Sequence, residues 1–202
     1  MRRISRRITA VVAAVVSLAL LAGFLPVTRA YASTAQHDIM IGLAVANAYV
    51  SQGWHSPGQS IDLQNAGGST AGVSVYSQTK WISGDAMVAY KASYISDCTG
   101  IKAEYKTGGG ATLGRTAYVH INVSGSIPSS WNMAASGWTV EYLGSVINPE
   151  PNAPGQGGND NCAWTGPHEH QSEEVATGSV NSGLSAGNSY ATGSTWLVHL
   201  SD

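Results

Sequence analysis

The segment RTAYVHINV, residues 115–123, alternates polar and apolar side chains along its second half. A period of two residues is typical of a β-strand, because successive side chains point to opposite faces. Similar short runs rich in Val, Tyr, Ile and Thr recur between Gly, Ser, Asn and Pro clusters, at 72–79, 85–95, 100–107, 138–147 and 194–200. The sequence therefore predicts a mainly β protein, folded as a single antiparallel sheet or sandwich domain.

One segment near the start of this region also has a helical pattern. In DIMIGLAVANAYV, residues 38–50, Ile39, Leu43, Ala46 and Val50 recur near helical spacing. Either a short N-terminal helix or a buried strand is compatible with this pattern. Residues 148–161, NPEPNAPGQGGNDN, predict a long loop, and long loops within compact domains are commonly functional.

The first 32 residues contain the parts of a secretory signal peptide in their usual order. A basic start, MRRISRR, precedes the apolar run ITAVVAAVVSLALLAGFLPV and the small-residue cleavage signature Ala30-Tyr31-Ala32. We expect cleavage after Ala32 and export of residues 33–202 from a bacterium as a secreted, extracellular protein. Because the apolar run approaches membrane-spanning length, an uncleaved anchor is the alternative.

Residues 33–202 have the length of one domain, which we expect to be monomeric. Five of the ten basic residues leave with the leader while all twelve acids remain, so this part carries a formal charge of −7. A net-acidic chain without a basic run argues against nucleic acid or an anionic membrane as the partner. Cys98 and Cys162 predict one disulfide in an oxidising compartment.

The six histidines are the residues best suited to metal binding or catalysis. His168 and His170 flank Glu169 in CAWTGPHEHQ, residues 162–171, and would project from the same side of a strand. An H-x-H pair by itself has two interpretations, half of a metal site or two surface histidines.

Two further segments offer comparable residues. His55 lies in a turn-rich stretch that leads into Ile61-Asp62-Leu63, where a strand would point Asp62 away from the core. His120 lies on the polar face of 115–123. Taken alone, each is compatible with an ordinary loop or rim residue. Taken together, histidines and a carboxylate are the ligands and proton carriers of a hydrolytic zinc site.

The order of these motifs resembles that of the lysostaphin-like and LytM-like zinc endopeptidases, including the β-lytic type, which cut peptide bonds of cell-wall peptidoglycan or glycine-rich peptides. The resemblance spans about residues 53–171. Its most specific part is Thr165-Gly166-Pro167-His168-x-His170, similar to the family's terminal motif. The others are Tyr118-x-His120-Ile121, the Leu-Gly strand at 138–146, and His55 followed by 60–63, SIDL.

The resemblance implies a LytM-like β fold, one Zn²⁺ per chain, and a peptidoglycan or glycine-rich peptide as substrate. It implies that His55, Asp62 and His170 bind the metal. His120 and His168 would then be the catalytic histidines, one taking a proton from water and the other stabilising the oxyanion.

Glu169 and Gln171 depart from the family pattern, which has an apolar residue and an aromatic at these positions. Burying an unpaired carboxylate is costly, so we expect Glu169 to be solvated or the strand to be placed differently. Besides a secreted zinc endopeptidase, two alternatives remain. One is an inactive LytM-like or other secreted β domain that binds a wall component or a protein, and the other is an unrelated sandwich whose histidines do not converge.

Overall fold

The structure is a computed structural model that describes residues 37–55, 59–84, 87–95, 99–134, 136–149, 164, 166–175 and 178–202. All of them belong to one compact unit, Thr34–Asp202. The predicted leader, both cysteines and most of the 148–161 loop lie outside the described residues. Within the described ranges, no helix has the length and apolar character needed to cross a membrane.

The described residues form β-strands joined by turns, and every pairing between strands is antiparallel. In chain order the strands are β1 (Asp38–Gly42), β2 (Ala48–His55), β3 (Gln59–Asn65), β4 (Ser74–Ser83), β5 (Met87–Ile95), β6 (Gly100–Thr107), β7 (Thr112–Val119), β8 (Ile121–Val123), β9 (Ser130–Asn132), β10 (Thr139–Val146), β11 (Glu169–Val175), β12 (Gly178–Val180), β13 (Ser189–Tyr190) and β14 (Trp196–Ser201). The prediction of a mainly β protein is confirmed.

The strands assemble into two sheets. The six-stranded sheet has the order β12-β14-β1-β4-β10-β8, and the eight-stranded sheet has the order β13-β2-β3-β11-β7-β6-β5-β9. The segment 38–50, whose pattern fitted a helix or a strand, contains β1 and the start of β2, which belong to different sheets. Strand structure prevails there because Ile39 and Ile41 alternate with half-buried neighbours and pack fully buried in the core.

Both sheets contribute to one apolar core. Ile41 and Leu197 of the six-stranded sheet belong to the same buried cluster as Ile61 and Leu63 of the eight-stranded sheet. Each buried side chain of this size contributes roughly 1.5–3 kcal/mol to folding. Because Ile61 and Leu63 are buried on this side, Asp62 between them is directed toward the other face of its sheet.

The core also contains a polar row from β11. Glu169, Gln171 and Glu173 alternate along this strand and are all buried, although Glu169 was expected to be solvated or displaced. Neither carboxyl oxygen of Glu169 has a hydrogen-bond partner among the described residues. Burial, followed by the charges of Asp62 and Glu173, raises the pKa of Glu169 well above its usual value, so it is buried as a neutral acid.

Gln171 connects this row to the opposite sheet. Its side-chain nitrogen donates to the carbonyl of Gly42 at the end of β1, and its oxygen accepts from the backbone N–H of Ala44. The same nitrogen donates to Glu173, which also accepts a hydrogen bond from Thr116. These bonds compensate the burial of an amide and fix β11 against the six-stranded sheet.

Candidate metal centre

Adjacent strands of the eight-stranded sheet carry the five residues that the sequence singles out. His55 ends β2, Asp62 lies within β3 and His170 lies within β11. His168 immediately precedes β11, and His120 immediately follows β7. Because β2, β3, β11 and β7 are consecutive in the sheet, and Asp62 pairs directly with His170, all five lie close together.

The Asp62 carboxylate is in contact range of three imidazoles. Its Oδ1 atom lies 2.8 Å from His170 Nδ1, 3.7 Å from His55 Nε2 and 3.7 Å from His168 Nε2. The rings of His55 and His170, separated by more than a hundred residues in sequence, have centroids 5.2 Å apart. The alternative that the histidines do not converge is therefore wrong.

Backbone carbonyls orient two of these imidazoles. His55 Nδ1 and His168 Nδ1 each lie against the carbonyl oxygen two residues earlier in the chain, at 2.9 Å and 2.8 Å. A carbonyl oxygen only accepts, so in the neutral ring Nδ1 carries the proton and Nε2 keeps its lone pair. Both lone pairs belong to the nitrogens that approach Asp62.

A pair of serines orients the third imidazole. Ser172 Oγ lies 3.0 Å from His170 Nε2 and 2.6 Å from the hydroxyl of Ser60, which is fully buried. In this structure His170 Nδ1 donates to Asp62 and Nε2 accepts from the Ser172 hydroxyl. In the other tautomer Nε2 would donate to Ser172, and the Nδ1 lone pair would be available to a metal. Hydrogen bonds of this kind to the outer nitrogen are typical of metal-binding histidines.

The electrostatics of the centre are set by the Asp62 carboxylate and by the burial of His168. Burial raises the pKa of Asp62, but the His170 hydrogen bond and the neighbouring histidine charges lower it, and the net shift is downward. Burial lowers the pKa of His168, although Asp62 and the Gly166 carbonyl oppose this effect. At neutral pH the centre therefore contains a carboxylate beside an uncharged His168.

His120 lies deeper than the other histidines, with 4% of its surface exposed. It has a left-handed backbone conformation, φ 64°, which His adopts more readily than most residues. Its ring stacks on Trp164 at 4.1 Å and lies 4.9 Å from the ring of His168. Burial, followed by the charges of His168 and His170, lowers the pKa of His120 to about 3.

One ring nitrogen of His120 shows whether the fold satisfies every polar atom of the centre. Its Nδ1 atom is buried and has no hydrogen-bond partner among the described residues. A buried polar atom in this position costs free energy unless it contacts something else, such as a substrate or a water. The centre thus contains a polar atom that the fold itself does not satisfy.

Two overlapping groups among the described residues can hold a metal ion. They are His55, Asp62 and His170, and His120, His168 and His170, and the ligand atoms in each group lie within 4.8 Å of one another. In a tetrahedral site with bonds near 2.0–2.1 Å, ligand atoms are about 3.3 Å apart. The contacts of Asp62 at 2.8 Å and 3.7 Å span this value. The first group coincides with the ligands expected from the sequence.

Sequence reasoning identified the acid and the histidines but not the residues that support them. Ser60 belongs to the SIDL motif, but the motif assigns it no role. Ser172 lies outside the motifs, although it is two residues from His170 and so shares its side of the strand. Trp164 adjoins the H-x-H motif, and it packs behind His120 as a buried residue, 5% exposed.

Comparison with protein-family models and with curated proteins found no match to this chain.

Proposed function

We propose that this protein is a secreted zinc-dependent endopeptidase that cuts peptide bonds of cell-wall peptidoglycan or glycine-rich peptides. The observation that carries the proposal is the convergence of Asp62 with His55, His168 and His170 at 2.8–3.7 Å. The cell-wall target is supported by the motif resemblance and by the expected export of the chain.

His55 Nε2, Asp62 Oδ1 and His170 Nδ1 would bind the zinc ion. Two imidazoles and a carboxylate are a ligand set of catalytic zinc sites, in which the fourth position is left for water or substrate. When bound, Zn²⁺ supplies a Lewis acid that polarises a carbonyl and lowers the pKa of water to about 7. Asp62 would offset part of the metal charge, and Ser172 would hold the His170 ring in place.

His168 would act as the general base. Its Nε2 atom is unprotonated in the neutral ring because Nδ1 donates to the Gly166 carbonyl, and it faces the metal-binding carboxylate at 3.7 Å. Asp62 also stabilises the protonated form of His168, which favours proton uptake from the attacking water. The proton would then pass to the amine that leaves.

His120 would stabilise the oxyanion. Because its pKa is lowered to about 3, it stays neutral at pH 7 and is a weak base, but a neutral imidazole still donates one N–H hydrogen bond. Donation from a buried, oriented N–H to the developing oxyanion is worth more than in water, because little solvent competes. The stack on Trp164 would keep the ring in that orientation.

Hydrolysis of defined peptides tests the proposal. The purified protein is incubated with bacterial peptidoglycan and with N-acetyl-pentaglycine amide, and newly formed amino groups are counted. We expect cleavage that a zinc chelator abolishes and added zinc restores, and none with Asp62→Asn. Zinc binding without any cleavage would favour the alternative, an inactive wall-binding or protein-binding β domain. Absence of zinc binding would contradict the endopeptidase proposal.

A further inference from the structure

The geometry points to a carboxylate-binding pocket beside the metal centre, in which Lys102 holds a negatively charged group of the substrate. This inference rests on the proposed peptidase function and narrows the substrate to a peptide that carries a free carboxylate near the bond to be cut. The pocket has a volume of about 250 Å³ and is lined by Lys102, Arg115, Ala117, Ser172, Glu173 and Glu174.

Strand register connects the pocket to the metal centre. Lys102 of β6 pairs with Ala117 of β7, which pairs with Ser172 of β11, so the three side chains form a row on one face of the sheet. Ser172 is also the residue whose hydroxyl contacts His170 Nε2. The pocket therefore adjoins the proposed metal ligand His170 through Ser172. It lies on the same face of the sheet as Asp62 and His170.

The floor of the pocket leaves room for a ligand beside Lys102. Ala117 and Ser172 are small, and both are only partly buried. Larger side chains at these positions would fill the row between the lysine and the histidines. A groove with small residues below and a cation at one end suits an extended peptide with a terminal or side-chain carboxylate.

The other charges near the pocket are paired. Arg115 donates to Glu104 at 2.9 Å and to Glu174 at 3.0 Å, and Lys106 lies 2.9 Å from the second oxygen of Glu104. The hydrogen bond from Lys106, together with those from Thr112 and Arg115, lowers the pKa of Glu104, so it remains ionised. The negative charges of Glu104 and Glu174 therefore offset the positive charges of Arg115 and Lys106.

Lys102 is the remaining charge. It is half-buried, and among the described residues it has neither an ion pair nor a side-chain hydrogen bond. Lys102 together with the paired Arg115, Lys106, Glu104 and Glu174 gives the surroundings of the pocket a net charge of +1, whereas residues 33–202 as a whole carry −7. A partly desolvated ammonium on an otherwise acidic protein favours an anionic ligand at this position.

The separation of Lys102 from the metal ligands sets the position of the carboxylate. Lys102 is two strands away from Ser172, and Ser172 is two residues beyond His170. With strands roughly 4.8 Å apart and a rise of about 3.3 Å per residue, this separation corresponds to about two to four residues of extended peptide. A carboxylate that close to the cut bond would reach the lysine while the bond lies at the metal centre.

Two peptides that differ only in their terminal charge test the inference. N-acetyl-pentaglycine with a free carboxylate and its amide are titrated into the full chain in the presence of a zinc chelator, which prevents cleavage, and binding is followed by NMR. We expect the acid to bind about tenfold more tightly than the amide, since one charge-assisted hydrogen bond is worth about that much. In Lys102→Gln the two peptides should bind equally.

Lys80→Gln provides the matched control, because Lys80 is a half-buried strand lysine of the six-stranded sheet. It should keep the tenfold preference for the acid. Equal binding of acid and amide to the unaltered protein, no binding of the acid, or a preference that survives Lys102→Gln would each overturn the inference. A preference that depends on Lys102, in a protein that cleaves neither these peptides nor peptidoglycan once zinc is restored, would support the pocket and contradict the peptidase proposal.

Discussion

At the scale of single residues, Asp62 is central because it is the only carboxylate among the described residues that contacts three imidazoles. It remains ionised because the His170 hydrogen bond and the histidine charges outweigh the effect of its burial. A carboxylate in this environment attracts either protons onto its neighbours or a divalent cation between them. The proposed zinc site is the second of these outcomes.

The serine behind His170 gives the first prediction. Ser172→Ala removes the hydrogen bond to His170 Nε2, so the ring loses the contact that orients it. Loss of such a contact typically weakens metal binding by about 10- to 100-fold. Zinc affinity measured by competition with a chromophoric chelator should fall in that range, and Ser172→Thr should restore part of it.

An exposed serine of the other sheet, Ser179, provides the control. Ser179→Ala should leave zinc affinity unchanged. Equal affinities for Ser172→Ala and the unaltered protein would show that the serine does not position the ligand.

His120 gives the second prediction, which separates the two possible metal sites. Asn also tolerates the left-handed backbone found at this position, so His120→Asn should preserve the turn between β7 and β8. If His55, Asp62 and His170 bind the metal, the variant keeps one zinc but loses about 10²- to 10³-fold in the rate of peptide cleavage. Loss of zinc from this variant would instead assign the metal to His120, His168 and His170.

Sequence patterns predicted the five central residues because each belongs to a motif with its own spacing. The supporting residues were not predictable in this way. Ser60 meets Ser172 only because β3 and β11 pair in one particular register, and Lys102 reaches the same face only through β6 and β7. Register across non-consecutive strands depends on tertiary packing that a local pattern does not contain.

At the scale of elements, β11 carries two chemically different faces. His170 and Ser172 lie on the face with the metal centre, and Glu169, Gln171 and Glu173 lie on the face that enters the core. Their alternation follows from the two-residue period of a strand. The same strand therefore contacts the opposite sheet through Gln171 and carries the candidate metal ligand His170.

Glu173, a buried acid of β11, gives the third prediction, which concerns the pH dependence of stability. Burial raises the pKa of Glu173 to about 8, whereas hydrogen bonds from Thr116 and Gln171 limit the rise. The folded state thus holds a proton that the unfolded chain releases near 4.5. The resulting contribution to stability is complete below pH 4.5 and is lost as pH rises through 8.

Urea unfolding between pH 5 and pH 9 measures this effect. In Glu173→Gln, the loss of stability with rising pH should be weaker than in the unaltered protein, with the remaining slope due partly to Glu169. The amide can keep both contacts, because the Thr116 hydroxyl accepts as well as donates. Glu174→Gln, at the exposed neighbouring position, should follow the unaltered protein. Identical slopes for Glu173→Gln and the unaltered protein would show that Glu173 does not titrate in this range.

Element prediction succeeded where alternation was clear and left alternatives where it was not. The run 115–123 gives β7 and β8, interrupted at His120, where the backbone turns. The segment 38–50 was ambiguous because its apolar residues are dense enough to fit either period. Glu169 was misjudged because local reasoning treats a buried carboxylate as charged, whereas this one is buried as a neutral acid.

At the scale of the whole molecule, two sheets packed on a shared core support the face that carries the candidate metal centre. The core between them includes residues of both sheets, so the strands that carry the proposed ligands pack against it. Rigid elements keep ligands in position better than loops do. The fold class was predictable because strand-like runs occur throughout, but the division into two sheets was not, since neighbouring strands in sequence, such as β1 and β2, belong to different sheets.

The central claim is that this face binds zinc through two histidines and an aspartate. The most direct measurement is a crystal structure of the zinc-loaded protein with anomalous diffraction collected at the zinc absorption edge. We predict a single strong peak about 2.0–2.2 Å from His55 Nε2, Asp62 Oδ1 and His170 Nδ1. A peak among His120, His168 and His170, or no peak at this face, would contradict the claim.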